Sequence, residues 1–402
     1  MADPVSGAAA QTGLHRFILR YALAWVGAVI AYTPLLTILL PMQVQHLAGR
    51  AAGVDWLAWL SFFGALAASL GGILFGWLSD VTRNRRGWIA AGLVLSSLLL
   101  MLIGTLDSLT ELIVAIILWQ LSLNMMLGPL SALAADVVPD RSKGFLGGLQ
   151  AFAPGLAALV GALVSWPGLA SESSSKNMLV IAFVMACILP LLLIRIPAGS
   201  DDAAHALESA KAHVPMRARA RRMWLARLCV QVAEAALFAY MLFWLSGLDP
   251  RISDYEVARL FSAVLLVSAP LALMSGRWSD HASRPIAPLR ACASISALGL
   301  VLMAISTHGQ GAMVAYGLFG VSSSVFLALH SAQTLRILPQ PHWRGRDLGI
   351  FNLANTVPSL VMPWLALAFV PKGGFDMLFV LLAALALCAA YLLAPGKIEA
   401  QD

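Results

Sequence analysis

Long apolar segments separated by short polar loops run the whole length of the chain. A helix that crosses a bilayer needs about 20 mainly apolar residues. At that length the pattern predicts twelve spans, at roughly 17–41, 55–79, 87–106, 109–134, 144–166, 178–196, 223–247, 256–279, 285–306, 311–335, 347–370 and 374–394. The sixth and seventh are separated by a longer polar stretch. The expected organisation is a six-helix bundle at 1–196, a cytoplasmic linker at 197–222 and a second six-helix bundle at 223–402. The fold class that follows is an all-α membrane protein with twelve transmembrane helices in two pseudo-symmetric bundles.

Composition agrees. Of the 402 residues, 60% are hydrophobic and 11% charged, with mean hydropathy +0.82, whereas soluble domains carry about 25% charged residues. The net charge of +6 would suit nucleic acid only if it formed a surface, and here the basic residues sit in loops between spans, so nucleic acid is not an expected partner. Counting loops from an inner N-terminus, only Arg50, Lys176, Arg251, Arg259 and Lys372 of the 26 Lys and Arg fall outside. The linker alone holds Lys211, Arg217, Arg219, Arg221 and Arg222. The positive-inside rule therefore places both termini and the linker in the cytoplasm, in a multi-pass protein of the cell inner membrane. The linker reads as a tether whose charges fix topology. The first 16 residues lack a basic segment followed by a cleavage site, so no signal peptide is expected. Cys187, Cys229, Cys292 and Cys388 are scattered singly and read as apolar packing. No Cys/His/acid cluster has ligand spacing, so neither metal nor cofactor is expected.

One charged loop occurs twice. Gly76-Trp77-Leu78-Ser79-Asp80-Val81-Thr82-Arg83-Asn84-Arg85-Arg86 joins the second and third spans, and Gly276-Arg277-Trp278-Ser279-Asp280-His281-Ala282-Ser283-Arg284 follows 200 residues later. Asp136-Val137-Val138-Pro139 is answered by Arg336-Ile337-Leu338-Pro339 in the same register, and Leu146-Gly147-Gly148-Leu149-Gln150 by Leu348-Gly349-Ile350-Phe351-Asn352 with a two-residue slip. Two parallel six-span halves with a substrate site where they meet near mid-membrane is the arrangement such a repeat implies.

The pattern Gly76-x-Leu78-x-Asp80-x-x-Arg83-x-Arg85-Arg86 resembles the signature of the major facilitator superfamily between its second and third helices. The resemblance implies a transporter, and implies that Asp80, Arg83, Arg85, Arg86 and Asp136, with Asp280 and Arg284 in the second half, take part in gating. Residues 345–356 and Gly128-Pro129-x-Ser131-Ala132-Leu133-x-Ala135-Asp136 are similar to bacterial relatives of the sucrose/proton symporters and of the glycoside–pentoside–hexuronide carriers. Two departures stand out: Ser131 where the sucrose carriers have arginine, and no acid in the first span. Sucrose itself is therefore not the expected substrate.

Polar groups inside spans are costly and hence informative. Glu234 lies about mid-span in the seventh helix, on one stripe with Arg227, Gln231, Phe238 and Met241. A lone carboxylate there is suited to take up and release a proton, and Glu234 is the expected coupling acid; its alternative is a structural carboxylate satisfied by Arg227 or Gln231. His330 in the tenth span is a second candidate for proton relay, weighed against polar packing. Tyr32 and Thr37, Gln120 and Asn124, Gln231 and Phe238, Phe326, and Asn352 and Asn355 are the expected substrate contacts, since amides and hydroxyls bond a polyol and aromatic rings stack on sugars. Each is weighed against an interhelical hydrogen bond. Pro34, Pro129, Pro154, Pro270 and Pro358 lie within spans and each removes a backbone hydrogen bond.

The expected function is secondary active transport by alternating access in a monomer, with proton-coupled uptake of a sugar or glycoside as the first reading. Export of a drug, metabolite or small peptide is the alternative. Ala153-Pro154-Gly155-Leu156-Ala157-Ala158 lacks the glycine pair of the exporters' fifth helix. No nucleotide-binding motif and no converging catalytic set appears, so an enzyme is not expected.

Overall fold

In the computed structural model, the described residues are 4–165, 173–194, 213–249, 251–252, 254–282, 284–337 and 343–394. Among these residues twelve α-helices follow one another: α1 (Pro4–Ile30), α2 (Leu40–Thr82), α3 (Arg85–Ile103), α4 (Leu109–Val137), α5 (Asp140–Gln150), α6 (Ala153–Val164), α7 (Ser173–Leu192), α8 (His213–Leu248), α9 (Asp254–His281), α10 (Ala287–Ala304), α11 (Gly309–Ile337) and α12 (Arg344–Leu392). Helices and spans do not coincide one for one, because continuous helical geometry runs through some loops and prolines interrupt some spans.

The first span covers Gly13–Ala48, and a π-helical turn at Leu35–Leu39 links α1 to α2. Pro34 is its cause: it has no N–H to give back to the preceding turn, and the helix widens there to recover its bonds. The fifth span, Asp140–Val164, is split into α5 and α6 around Phe152, where Pro154 starts the new helix. α12 holds the last two spans, Arg344–Ala366 and Ala368–Leu392. Gly374, at φ 67°, breaks its helical geometry in a conformation that other residues adopt only with strain.

Eleven helices among the described residues are long and apolar enough to span a membrane. α8 occupies the place of the seventh expected span. It begins ten residues before the expected start, so the arginines at the end of the linker continue the helix rather than form a separate segment. The rest of the expected linker lies outside the described residues.

The outer surface is apolar. Leu193, Leu266, Val314, Trp364 and Tyr391 are each at least 73% exposed, an inversion of soluble patterning that only a hydrocarbon solvent makes stable. Interiors combine large apolar side chains with glycine contacts. A Cβ on Gly27 would meet Cys187 of α7 at 2.6 Å, and one on Gly92 of α3 would meet the backbone N of Met126 in α4 at 2.5 Å. Without a hydrophobic drive between helices in lipid, close backbone approach of this kind supplies the packing energy.

Two compact units emerge from the contacts. One contains Met1–Pro139, Phe152–Leu207 and Gln340–Asn352; the other contains Asp140–Ala151, Glu208–Pro339 and Leu353–Asp402. The start of α12 therefore packs with the first unit, and α5 packs with the second.

Candidate functional site

Asp80 closes α2, and its carboxylate accepts from the backbone N–H of Gly345 and of Arg346, each at 2.9 Å. These are the first turn of α12, whose unsatisfied N–H groups and positive dipole end attract an anion. The approach needs two glycines. A Cβ on Gly76 would run into the Gly345 carbonyl, and one on Gly345 into that of Gly76. Arg85 completes the site, with Nη2 2.6 Å from Asp80 Oδ1 and Nε 3.2 Å from Asp136 Oδ2. Arg344 Nη1 reaches Asp136 Oδ1 at 3.1 Å and the Ala135 carbonyl at 3.0 Å.

The second unit repeats this construction. Asp280 accepts from the N–H of Gly144 at 3.1 Å and of Phe145 at 2.9 Å, in the first turns of α5. Cβ atoms on Gly144 and Gly276 would collide with the opposite backbone. Lys143 stands where Arg344 stands in the other copy, donating to the carbonyl of Leu335 at 2.9 Å. The cation differs. Position 285, the counterpart of Arg85, is proline, and the guanidinium paired with Asp280 is that of Arg336, at 2.5 Å. Arg336 occupies the repeat position of Asp136, so an acid in one copy is exchanged for a base in the other.

The remaining expected gating residues lie apart from these caps. Arg83 is exposed and ends α2 in the left-handed region, at φ 51°. Arg86 donates to the carbonyl of Leu192 at the end of α7. Arg284 is exposed. Arg336, Arg344 and Lys143 were not among the expected functional residues. The signal for Arg336 was its place in the 200-residue repeat.

A second polar cluster joins α8, α11 and the second-unit part of α12. Arg227 Nε donates to Asn355 Oδ1 at 2.9 Å, and Nη1 lies 3.3 Å from the Leu327 carbonyl, 3.1 Å from Ser331 Oγ and 3.3 Å from His330 Nδ1. His330 is wholly buried. Its Nε2 is 2.9 Å from the Met223 carbonyl. A carbonyl only accepts and a guanidinium only donates, so the ring gives its proton at Nε2 and accepts at Nδ1. Thr334 Oγ1 also approaches Nδ1, at 3.2 Å. The Phe326 ring, fully buried, packs 5.5 Å from that of His330.

Glu234 lies two turns along α8 from Arg227, within electrostatic reach of it and of Tyr316 on α11. No ion pair within 4.0 Å joins Glu234 to a base among the described residues. Its Oε2 and the Oε1 of Gln231 are buried and without a hydrogen-bond partner. The side chain of Phe238, on the same helix, lies outside the described residues.

The expected contacts of the first unit form a different patch. Asn124 donates to the Gln120 carbonyl at 2.9 Å, and both side chains are buried against α2. A Cβ on Gly72 would sit 3.5 Å from Asn124 Oδ1 and 3.9 Å from Asn352 Nδ2, so two amides flank one glycine. Tyr32 is half-buried; Thr37 is exposed and donates to its own helix, at the Thr33 carbonyl, 2.7 Å away. Among the described residues no group of three or more His, Cys, Asp or Glu is placed to hold a metal ion.

The family model described as the Major Facilitator Superfamily matches residues 21–329 and 223–399. No curated protein matches the chain. Among solved structures, the human organic anion transporter MFSD10 is similar at 15% identity, over 95% of this chain and 99% of that one, with TM-score 0.74. The E. coli fucose:proton symporter FucP is similar at 16% identity, over 94% and 97%, with TM-score 0.75. The proton:xylose symporter XylE is similar at 14% identity, over 95% of each chain, with TM-score 0.75. At such identities the likeness is one of fold.

Proposed function

The chain belongs to the Major Facilitator Superfamily, and on that footing we propose that it is a proton-coupled symporter that takes up a sugar or glycoside by alternating access. It works as a monomer in the cell inner membrane, with both termini cytoplasmic, and is not an enzyme. The functional halves are 1–196 and 223–402, joined by 197–222. The observation that carries the reading is Glu234: an intramembrane carboxylate with a buried, unpartnered oxygen and no base within ion-pair distance among the described residues. Such a group is costly unless its charge is useful, and taking up a proton removes the cost. Two sugar:proton symporters among the structures of like fold support the substrate class.

Gating in this proposal falls to the capped helix starts. Asp80 and Asp280 each hold the first turn of a helix from the other sequence half, and release of either cap frees that helix to shift.

The test uses purified protein in proteoliposomes with radiolabelled sugars and an inward proton gradient. Uphill accumulation that collapses with a protonophore is expected for the native chain. Glu234→Gln should abolish accumulation while sparing counterflow. Equal uphill uptake in this variant would refute coupling at Glu234, and dye efflux with no sugar counterflow would favour export.

A further inference from the structure

The guanidinium of Arg227 is held only by neutral acceptors. Asn355 Oδ1 takes Nε–H, and the Leu327 carbonyl, Ser331 Oγ and His330 Nδ1 surround Nη1. No carboxylate lies within 4.0 Å of it among the described residues, and Nη2 has no hydrogen-bond partner among them. Arg85, Arg336 and Arg344, by contrast, each pair directly with an aspartate. A guanidinium is always charged, and a charge inside a membrane protein calls for a counter-charge. The acid that compensates Arg227 is Glu234, through space along the same helix.

That arrangement makes the compensation conditional. When Glu234 carries a proton, Arg227 stands unneutralised, with one edge of its fork unpartnered. The chemistry that edge takes is a carboxylate. Gln231 lies between the two along α8, and its Oε1 and the Oε2 of Glu234 are buried and unpartnered. Gln231 Oε1 accepts, and the Glu234 carboxyl accepts when ionised and both accepts and donates when protonated; hydroxyl groups satisfy all of these. Among the described residues, Tyr316 and His330 on α11 are the other titratable groups facing Glu234 and Arg227. His330 is occupied at both nitrogens.

We propose that Arg227, Gln231, Glu234 and Asn355 form an anion-binding site for a polyhydroxylated carboxylate, with the carboxylate on the free edge of Arg227 and the hydroxyls on Gln231 and Glu234. Proton and anion then bind with positive linkage. Protonating Glu234 frees Arg227, and by reciprocity the bound anion favours the protonated acid. The substrate enters as an anion with one proton, and the charge of the site is the same empty and loaded. This rests on the proton-coupled sugar reading and narrows its substrate to an acidic one.

The test measures binding to the purified full-length protein by isothermal titration at pH 6 and pH 8. The probes are D-gluconate (hydroxyls and carboxylate), sorbitol (hydroxyls alone) and hexanoate (carboxylate alone). Gluconate should bind at least about tenfold more tightly than either of the others, and about tenfold more tightly at pH 6 than at pH 8. Glu234→Gln, which mimics the protonated acid, should bring the two pH values within about twofold of each other. Arg227→Gln should lose at least about tenfold in gluconate affinity, and Arg227→Lys should retain part of it. If Arg227→Gln fails to fold, as judged by gel filtration and circular dichroism, Arg227→Lys and Glu234→Gln carry the test.

Absence of gluconate binding, equal binding of sorbitol, or unchanged gluconate affinity in the arginine variants overturns the assignment. Proton-driven uptake of a neutral sugar, insensitive to Arg227→Lys, also overturns it but leaves the sugar symport reading standing. Failure of all proton-driven uptake removes that reading as well.

Discussion

Asp280 Oδ1 lies 2.5 Å from Arg336 Nη2, while both carboxylate oxygens of Asp280 also accept from backbone N–H groups at the start of α5. The acid is 7% exposed at its side chain and the arginine 13%. The first copy builds the same cap on Asp80 but draws its cation from Arg85, in the loop itself. The repeat thus conserves the helix cap and moves the base, because what the cap needs is an anion at a helix start with any guanidinium in reach.

Breaking this pair from one side leaves a buried charge alone. Asp280→Asn is expected to destabilise the protein by about 3 kcal/mol, read as a lowered midpoint in a detergent thermal melt. Asp280→Asn with Arg336→Gln should cost less than the two single changes added together. Strict additivity in this double-mutant cycle would contradict direct coupling.

The glycine crossings forbid any side chain. Gly76→Ala places a Cβ against the Gly345 backbone and Gly276→Ala does so against Gly144. Each should lower the melting midpoint and cut transport, whereas Gly155→Ala, with nothing within 4 Å of the added Cβ, should leave both near native. A native melt for Gly76→Ala would show that the crossing relaxes without loss.

His330 is placed as a strut between Met223 and Arg227. His330→Phe should destabilise by about 1–3 kcal/mol, since it leaves a buried carbonyl and part of a guanidinium without partners. His330→Gln, which keeps a donor and an acceptor, should melt closer to native and still accumulate substrate against a gradient. Loss of accumulation without loss of stability in His330→Gln would instead make the ring part of the proton path.

Gly374 has φ 67° and open space around its missing Cβ, so the cost of substitution is conformational alone. Gly374→Ala and Gly374→Asn should each cost about 1–3 kcal/mol, because φ 67° with ψ −171° lies in a region that essentially only glycine enters, outside the left-handed helical region that asparagine tolerates. Thermal melts of the two variants check this; a native melt in either would show that the break within α12 shifts elsewhere at no cost.

Much of this was readable along the chain. Asp80 with Arg83, Arg85 and Arg86 was expected from the loop motif, Asp136 from the repeat, and Glu234 from its isolation in an apolar helix. Arg336 was visible in the repeat, yet an arginine replacing Asp136 reads as a broken match until the fold brings it to Asp280. Arg227 was expected as a partner of Glu234 because the two share a stripe of one helix. The structure turns its guanidinium onto α11 and Asn355 instead, since the nearest acceptors of a long side chain belong to neighbouring helices. Gln120 and Asn124 were expected as substrate contacts, and only packing shows that they meet the glycines of α2.

The sequence by itself determined the class of solvent, the spans and the two-fold repeat. A bilayer leaves the backbone little choice but to close its hydrogen bonds within each segment, so apolar length suffices to read the spans. The tertiary structure alone decided which charges meet. Ion pairs and caps join residues far apart in the chain, such as Asp80 and Gly345, 265 positions apart. Their partners depend on how each helix is rotated and how closely glycines let two backbones approach, and no periodicity along one helix carries that information.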